Sequence, residues 1–428
     1  MAARILRGPI SDLSARVKVP PSKSVTNRAL VAAAVVGGGE VRNPLDCEDT
    51  RVLADALAAA GWDLTWIDSI RVGRREVPDD VPQLWLGNSG TGARLMLGLL
   101  AASPGRARLD GTERLRQRPM QPLFDAIDGL GGRVTSRDGR LPAEIEGVLL
   151  NGGRVAIRPE VSSQFVSSLL LAAPLMRSDL ELEVLGELPS RPYVDLTVDV
   201  MQEFGIDVHR STDSRRLQVA HGTGRTATVE VEGDWSAAAF MAAAVAVAGG
   251  EVTVHPLSAT SRQGDRMIVD ILQAAGVDVE VVEEGIRFRG PAHEPFIADL
   301  SDTPDLFPAL VVVSAAVPPG SRLTGLAHLE HKESDRLSVM IENLERLGCQ
   351  FEHGRDQVRV VGSMIRASHL VRTATAADDH RIAMAMAVAA LAAGPIELDD
   401  SGCVVKSFPG FWDAWDRILG ATAEGHPP

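Results

Sequence analysis

The sequence predicts an α/β protein of two globular halves, each built from three repeated units, and three observations carry that prediction. A polar or Gly-rich opening, an Ala/Leu/Val-rich helix, a Gly or Pro stop and a short strand recur six times, about every 71 residues. Between these phrases runs a second helix with polar residues interleaved at helical spacing, usually closed by glycine. The chain has 428 residues, 45% hydrophobic and 23% charged, which suits two or three ordinary cores and is too much for one.

The phrases open at Ser22 (SKSVTNRALVAAAVVGGGEV), Gly87 (GNSGTGARLMLGLLAAS), Ser162 (SSQFVSSLLLAAPLM), Gly233 (GDWSAAAFMAAAVAVAGGEVTV), Thr303 (TPDLFPALVVVSAAVPPG) and Asp378 (DDHRIAMAMAVAALAAG). Helices apolar nearly all round have to be buried, so these are the inner helices. The second set, at 49–61, 119–131, 193–205, 265–276, 334–348 and most weakly 409–420, has one dry and one wet face and is solvated outside. Short strands complete each unit as sheets between inner and outer helices. The period is longer than that of ordinary solenoids, which favours duplicated α/β units, three on each side of a midpoint near Glu230.

Composition excludes several classes of function. A net charge of -14 argues against nucleic acid or an anionic membrane as partner, so any bound anion must meet a local basic cluster. Cys47, Cys349 and Cys403 lie far apart with no CxxC pair, as expected of a reduced, cytoplasmic compartment. No apolar run reaches the length of a membrane span, and MAARILRGPISDLS lacks the apolar core of a secretory signal, so the chain is read as mature protein.

Chemistry is to be sought where the inner helices open, because a first turn presents unpaired N–H groups and partial positive charge. Ser22, Gly90, Ser162 and Ser163 are small or polar and let a phosphate or carboxylate approach the backbone. PPSKSVTNR gathers Lys23, Ser24, Asn27 and Arg28; Lys23 and Arg28 reach one ligand only if Lys23 sits on the loop before the helix. GNSGTG lacks the Lys of a Walker loop, and no GxGxxG, HExxH or close Cys/His pair occurs, so neither nucleotide nor metal is expected. DGTERLRQRP carries Arg114, Arg116 and Arg118. HKESDR carries Lys332, Glu333, Asp335 and Arg336, and Asp378, Asp379, His380 and Arg381 open the sixth helix. Alternating charges of this kind usually form solvated ion pairs, but both runs fall at helix openings. Asp305 precedes an apolar helix, either as a general base beside a low-dielectric wall or as an ordinary first-turn acid. Lys406 stands among Val404, Val405, Phe408 and Phe411, either in a site or snorkelling from a strand. His328 and His331 read as surface or supporting residues.

Together, PPSKSVTNRA, LGNSGTGARL, DGTERLRQRP, SSQFVSSLLLAAPL, SRPYVDLT, VEGDWSAA, DTPDLFPAL, HKESDRL, DDHRIAMA and VVKSFPGF resemble the enolpyruvyl transferase family, specifically its 5-enolpyruvylshikimate-3-phosphate synthases. The match keeps the family's order over essentially the whole chain. The resemblance implies a two-domain inside-out α/β barrel, each domain a threefold repeat. Residues 20–229 form the first, on the shikimate 3-phosphate side, and 1–19 with 230–428 the second. It implies transfer of the enolpyruvyl group of phosphoenolpyruvate to the 5-hydroxyl of shikimate 3-phosphate, with release of phosphate through a tetrahedral intermediate, in the shikimate pathway to chorismate and aromatic amino acids. It further implies a cytoplasmic monomer with no cofactor, domains that close on ligand, and glyphosate as inhibitor.

By motif, Lys23, Ser24, Arg28, Ser162, Ser163, Gln164, Ser190, Asp305 and Lys332 resemble the shikimate 3-phosphate set. Lys23, Gly90, Arg118, Gln164, Arg336, Arg381 and Lys406 resemble the phosphoenolpyruvate set. Asp305 takes the part of base for the hydroxyl, Glu333 that of proton shuttle at the methylene carbon, and Lys23 serves the leaving phosphate. His328 stands where relatives commonly have Asn, and Leu95 where many have Pro. The sister transferases acting on UDP-N-acetylglucosamine generally carry a cysteine in the loop matching DGTERLRQRP and a Lys-Asn pair in place of SKS. Neither occurs here. A noncatalytic anion-binding scaffold is the reading of a different class, separated from an enzyme by a phosphate-release assay.

Overall fold

Helices with no polar face can exist only where protein surrounds them, and the six Ala-rich phrases form six such helices. A computed structural model describes residues 3–213, 215–364 and 370–420. Two compact units divide the chain: Pro21–Val231, and a bipartite unit of Met1–Pro20 with Glu232–Pro428.

The chain begins with β1 (Arg4–Leu6) and β2 (Leu13–Lys18), both belonging to the bipartite unit. The unit Pro21–Val231 then opens with α1 (Lys23–Val35), β3 (Gly39–Arg42), α2 (Glu48–Ala59) and the hairpin of β4 (Trp62–Trp66) and β5 (Ile70–Arg75). Its second repeat comprises β6 (Gln83–Trp85), α3 (Gly90–Ala101), β7 (Gly105–Asp110), a short α4 (Glu113–Gln117), α5 (Gln121–Gly129), β8 (Arg133–Ser136) and β9 (Ala143–Gly147). The third has β10 (Gly153–Ile157), α6 (Gln164–Ala172), β11 (Leu180–Val184), α7 (Arg191–Glu203), β12 (Val208–Arg210) and β13 (Arg216–Val219). The unit ends on β14 (Thr228–Glu230).

One sheet pattern repeats. A leading strand runs parallel to the strand after the inner helix, and a hairpin pairs antiparallel on its other side, giving β6-β7-β9-β8 and β10-β11-β13-β12. The first repeat has no leading strand of its own. β14 fills that place, pairing Thr228 with Glu40, and so ties the end of the unit to its beginning.

The bipartite unit continues with α8 (Trp235–Ala248), β15 (Gly250–His255), a 3-10 turn at Gly264–Met267, α9 (Ile268–Ala274), β16 (Asp278–Val282) and β17 (Gly285–Gly290). Next come β18 (Ile297–Asp299), a 3-10 turn at Pro304–Leu306, α10 (Phe307–Ala316), β19 (Arg322–Thr324), a 3-10 turn at Ala327–His331, α11 (Arg336–Arg346), β20 (Gln350–His353) and β21 (Gln357–Gly362). It closes with β22 (Arg372–Ala374), α12 (His380–Ala393), β23 (Ile396–Leu398), a 3-10 turn at Gly402–Lys406 and α13 (Phe411–Ile418). Here the amino terminus supplies what the repeats lack. β2 leads the sheet of β15, and β1 takes the place of a hairpin against β23.

In one unit α1, α3 and α6 pack together, in the other α8, α10 and α12, each triad at the centre of its own apolar core. The starts are built locally. Asp234 accepts from the Ala237 N–H at 2.9 Å to cap α8, a contact worth about 1 kcal/mol. Gly249, at φ 78, ends that helix in a conformation an alanine would resist. The outer helices bury one face only, as in α11 with Leu337, Met340, Ile341 and Leu344. The span 409–420, faintest in sequence, forms α13 with Phe411, Ala414, Trp415 and Ile418 buried. Among the described residues no helix is long and apolar enough to cross a membrane.

Candidate active site

In the unit Pro21–Val231 the candidate residues sit at the starts of the three inner helices and beside them. Ser22 caps α1, its hydroxyl accepting from Val25 N–H, so Lys23 is the first helical residue and not a loop residue. The two cations of this motif accordingly take different partners. Lys23 Nζ lies 2.9 Å from Asp49 Oδ2 at the start of α2. Arg28, 1% exposed, turns to α7: its Nε donates to Thr197 Oγ1 at 2.8 Å and Nη2 to the Tyr193 carbonyl at 3.1 Å, while Nη1 holds the Ser24 carbonyl at 2.9 Å. Burial lowers the Arg28 guanidinium to about 10, so it stays charged near neutral pH.

Gly90 is the first residue of α3, and a β-carbon built on it would overlap the guanidinium of Arg118, itself 4% exposed. The loop carrying Arg118 therefore closes over the helix start. At the start of α6, Gln164 is held by two α3 side chains: Arg94 Nη1 donates to its Oε1 at 2.7 Å and its Nε2 donates to Thr91 Oγ1 at 2.8 Å. Ser162 Oγ accepts from Gln164 N–H at 3.3 Å, and Ser163 is buried beside it. Ser190, buried at φ 56, precedes the Arg-Pro start of α7. The amides of Asn27 and Asn88 are buried near the starts of α1 and α3, with no hydrogen-bond partner among the described residues. Buried polar atoms of that kind are costly unless water or a ligand meets them.

In the bipartite unit a second group converges on Arg336. This residue opens α11 at 1% exposure. Its Nη1 donates to Asp305 Oδ1 at 2.7 Å, Nη2 to Glu333 Oε2 at 2.7 Å and Nε to Asp379 Oδ2 at 2.8 Å. Asp305, on the 3-10 turn before α10, receives a second guanidinium: Arg381 Nη2 donates to its Oδ2 at 2.7 Å. Asp379 caps α12 through Arg381 N–H and also accepts from Ser334 Oγ at 3.1 Å. Burial alone would raise the Asp305 carboxyl, but Arg381, Arg336 and Lys332 outweigh it and hold Asp305 well below the usual carboxylate range. The charge runs of HKESDR and DDHR are thus interior at Arg336, Asp379, His380 and Arg381, and are not the solvated pairs that alternating charge usually signals. His328 is likewise buried, not superficial. Burial, then the charge of Lys332, takes its imidazole down to about 3, so it is neutral. Lys406 ends a 3-10 turn and not a strand, and is 4% exposed.

Sequence reasoning leaves out Asp49, Arg94 and Thr197, which hold the residues it names. A signal existed for Arg94 alone, as an arginine inside the otherwise apolar GTGARLMLGLLA. Asp49 reads as an ordinary first-turn acid and Thr197 as a face-filling residue. Among the described residues no group of three or more His, Cys, Asp or Glu side chains is placed to hold a metal ion.

A family model described as EPSP synthase (3-phosphoshikimate 1-carboxyvinyltransferase) matches residues 8–415. The 3-phosphoshikimate 1-carboxyvinyltransferase of Syntrophobacter fumaroxidans is 39% identical over 418 residues, covering 96% of this chain and 98% of that protein. That of Methanothermobacter thermautotrophicus is 40% identical over 407 residues, covering 94% of each. Among solved structures, the EPSP synthase of Acinetobacter baumannii superposes with a TM-score of 0.78 over 97% of this chain and 98% of that one, at 24% identity, a likeness of fold. With the family model spanning both units and relatives of this identity matched over nearly their whole length, the chain belongs to the EPSP synthase, or 3-phosphoshikimate 1-carboxyvinyltransferase, family.

Proposed function

We propose that this chain transfers the enolpyruvyl group of phosphoenolpyruvate to the 5-hydroxyl of shikimate 3-phosphate and releases phosphate, as a monomer in the cytoplasm. The observation that carries this reading is the Asp305 carboxylate held between Arg336 and Arg381, each at 2.7 Å. Two buried guanidiniums that now satisfy one carboxylate are also the groups proposed to meet the carboxylate and phosphate of phosphoenolpyruvate. A carboxylate bound this tightly is a weak base. Phosphoenolpyruvate that draws the guanidiniums to itself frees Asp305 to take the hydroxyl proton, so the base strengthens only when its substrate is present. Glu333 then serves the methylene carbon, and Lys23 the departing phosphate. Ser24, Arg28, Ser162, Ser163, Ser190 and Lys332 hold shikimate 3-phosphate, Gln164 touches both substrates, and Gly90, Arg118 and Lys406 complete the phosphoenolpyruvate set. The three cysteines, all buried and free, are in keeping with a reducing compartment.

Phosphate release measured with both substrates is the deciding assay. Release is expected with shikimate 3-phosphate as acceptor and not with UDP-N-acetylglucosamine. The reverse preference would assign the chain to the sister reaction, and no release with either would leave an anion-binding scaffold.

Gly90→Ala tests the phosphoenolpyruvate set. The added methyl has to displace the Arg118 guanidinium, and overpacking of about 1–3 kcal/mol corresponds to weakening of about 5- to 150-fold. Glyphosate, which fills the space more fully than the substrate, is expected to lose more affinity than phosphoenolpyruvate. Inhibition constants measured against phosphoenolpyruvate check this. Unaltered inhibition in the variant of a sensitive wild-type protein would place Gly90 outside the site. Leu95, fully buried in α3 one turn beyond, bears on that wild-type sensitivity, since by the family resemblance proline is common at this place.

A further inference from the structure

A guanidinium carries N–H donors on a rigid planar fork, one on Nε and two on each terminal nitrogen. In Arg28 three of them are taken up inside the unit: Nε by Thr197 Oγ1 at 2.8 Å, Nη2 by the Tyr193 carbonyl at 3.1 Å and Nη1 by the Ser24 carbonyl at 2.9 Å. One N–H on each terminal nitrogen is left over. Because Arg28 is buried, the direction of those last N–H groups decides what it can bind.

Thr197 sets that direction. It lies in α7 one turn after Tyr193, and both it and Ser167 of α6 are fully buried. Its Oγ1 is 2.8 Å from Ser167 Oγ and 2.8 Å from the Tyr193 carbonyl. A hydroxyl has one hydrogen and two acceptor pairs, whereas a carbonyl can only accept. The arrangement that satisfies every partner therefore has Thr197 donating to Tyr193 and accepting from Arg28 and Ser167. Nε and Nη2 share one edge of the guanidinium, so that edge is pinned by two oxygens that are bonded to each other. The helices joined at this hydroxyl are those whose starts hold the other residues proposed to bind shikimate 3-phosphate: Lys23 and Ser24 at α1, Ser162, Ser163 and Gln164 at α6, Ser190 at α7.

We infer that Thr197 is a positioning residue for shikimate 3-phosphate: by holding the Nε edge of Arg28 and tying α1, α6 and α7 together, its hydroxyl aims the remaining N–H groups of that guanidinium at an oxyanion of the substrate. The inference rests on the enolpyruvyl-transfer reading. Thr197 acts through Arg28 and is given no contact with substrate. Valine in its place keeps the shape but removes the acceptor, which leaves the Arg28 Nε–H buried without its partner and the guanidinium free to turn. The charge stays and the aim is lost.

The test measures shikimate 3-phosphate binding by titration calorimetry, and kcat and KM by phosphate release. The proteins are full-length wild type, Thr197→Val, Thr197→Ser, Arg28→Ala and the double variant of Arg28→Ala with Thr197→Val. In Thr197→Val the Kd and KM for shikimate 3-phosphate are expected to rise about tenfold, an ordinary size for coupling inside one hydrogen-bond network. The kcat and the KM for phosphoenolpyruvate are expected within about twofold of wild type. Thr197→Ser keeps the hydroxyl and is expected to bind shikimate 3-phosphate within about twofold of wild type. In the Arg28→Ala background the valine is expected to add no further loss, because a residue that acts through Arg28 has nothing left to aim. A merely structural role would weaken both backgrounds alike.

An unchanged Kd in a folded Thr197→Val protein overturns the inference, as does an equal loss for both substrates, a serine variant as weak as the valine one, or a valine effect that persists in full beside Arg28→Ala. Should Thr197→Val fail to fold, Ser167→Ala carries the test, since it removes one bond that holds the Thr197 hydroxyl. It is expected to weaken shikimate 3-phosphate about two- to threefold alone and not at all beside Arg28→Ala, and full-strength binding by Ser167→Ala would then overturn the inference. A wild-type protein that neither binds shikimate 3-phosphate nor releases phosphate with it fails differently, since it removes the reaction and not only the part given to Thr197.

Discussion

Asp305→Ala is expected to fold, to bind shikimate 3-phosphate and to turn over about 100- to 10,000-fold more slowly than the wild type. Folding is expected because Arg336 keeps two of its three carboxylates, Glu333 and Asp379, when Asp305 is cut back. Turnover falls because the proposed acceptor of the hydroxyl proton is gone, an interaction made in the transition state, so the loss falls on kcat. Arg28→Ala supplies the contrast. Arg28 is buried against α7 and is proposed to bind shikimate 3-phosphate, so its loss is expected mainly in KM for that substrate. Measuring kcat and KM separately for both variants checks the division. Near-normal turnover of a well-folded Asp305→Ala protein would move the base elsewhere.

Much of the fold is legible in the sequence because burial on all sides leaves a compositional mark. WSAAAFMAAAVAVA and HRIAMAMAVAALAA have no face that water can wet, and α8 and α12 are buried nearly throughout. The outer helices are legible for the complementary reason, their apolar residues recurring on one side. Local pattern does not carry strand exchange. β1 is three residues long and pairs with β23, almost the full chain away, and β14 returns to β3. Such pairings are set by where the repeats leave an edge uncovered. Lys406 shows a smaller failure of the same kind. A cation amid valines and phenylalanines suggests a strand, but only tertiary packing decides that Gly402–Lys406 is a 3-10 turn.

The candidate site is legible where residue type and position agree, as with serines and glycines at helix starts and arginines beside them. Supporting residues are less legible. Asp379 looks from sequence like an acid in a first turn, where carboxylates are common and usually solvated. What sets it apart is exposure, 0%, and that comes from other parts of the unit. Arg94 differs because arginine is rare in an apolar helix, and its partner Gln164 lies at the start of the next inner helix.

Arg336→Met is expected to lower stability by about 3–5 kcal/mol. The reasoning starts from the asymmetry of buried ion groups. Replacing an entire buried cluster by apolar residues costs little, but removing one member leaves the others charged without compensation. Arg336 is the member that three carboxylates share, and it is 1% exposed while Asp379 is 0% exposed. Burial works against its charge, but Asp379, Glu333 and Asp305 outweigh burial and hold the guanidinium above its ordinary range. With methionine there, Asp379 retains the Ser334 hydroxyl and the Arg381 N–H, Asp305 retains the Arg381 guanidinium, and Glu333 loses the Arg336 guanidinium. For a unit of this size the melting temperature is expected to fall by about 2–4 °C per kcal/mol, hence by about 6–20 °C. The pH dependence identifies the cause. Asp305 is held below the usual carboxylate range in the wild type, so its pairing stabilises the fold above that range and the contribution is lost as pH falls through its folded value. The gap between wild type and variant should therefore be widest near neutrality and narrow in acid. Calorimetric melting of both proteins across that range measures it, and equal melting temperatures at neutral pH would mean that the carboxylates do not depend on Arg336 for their burial.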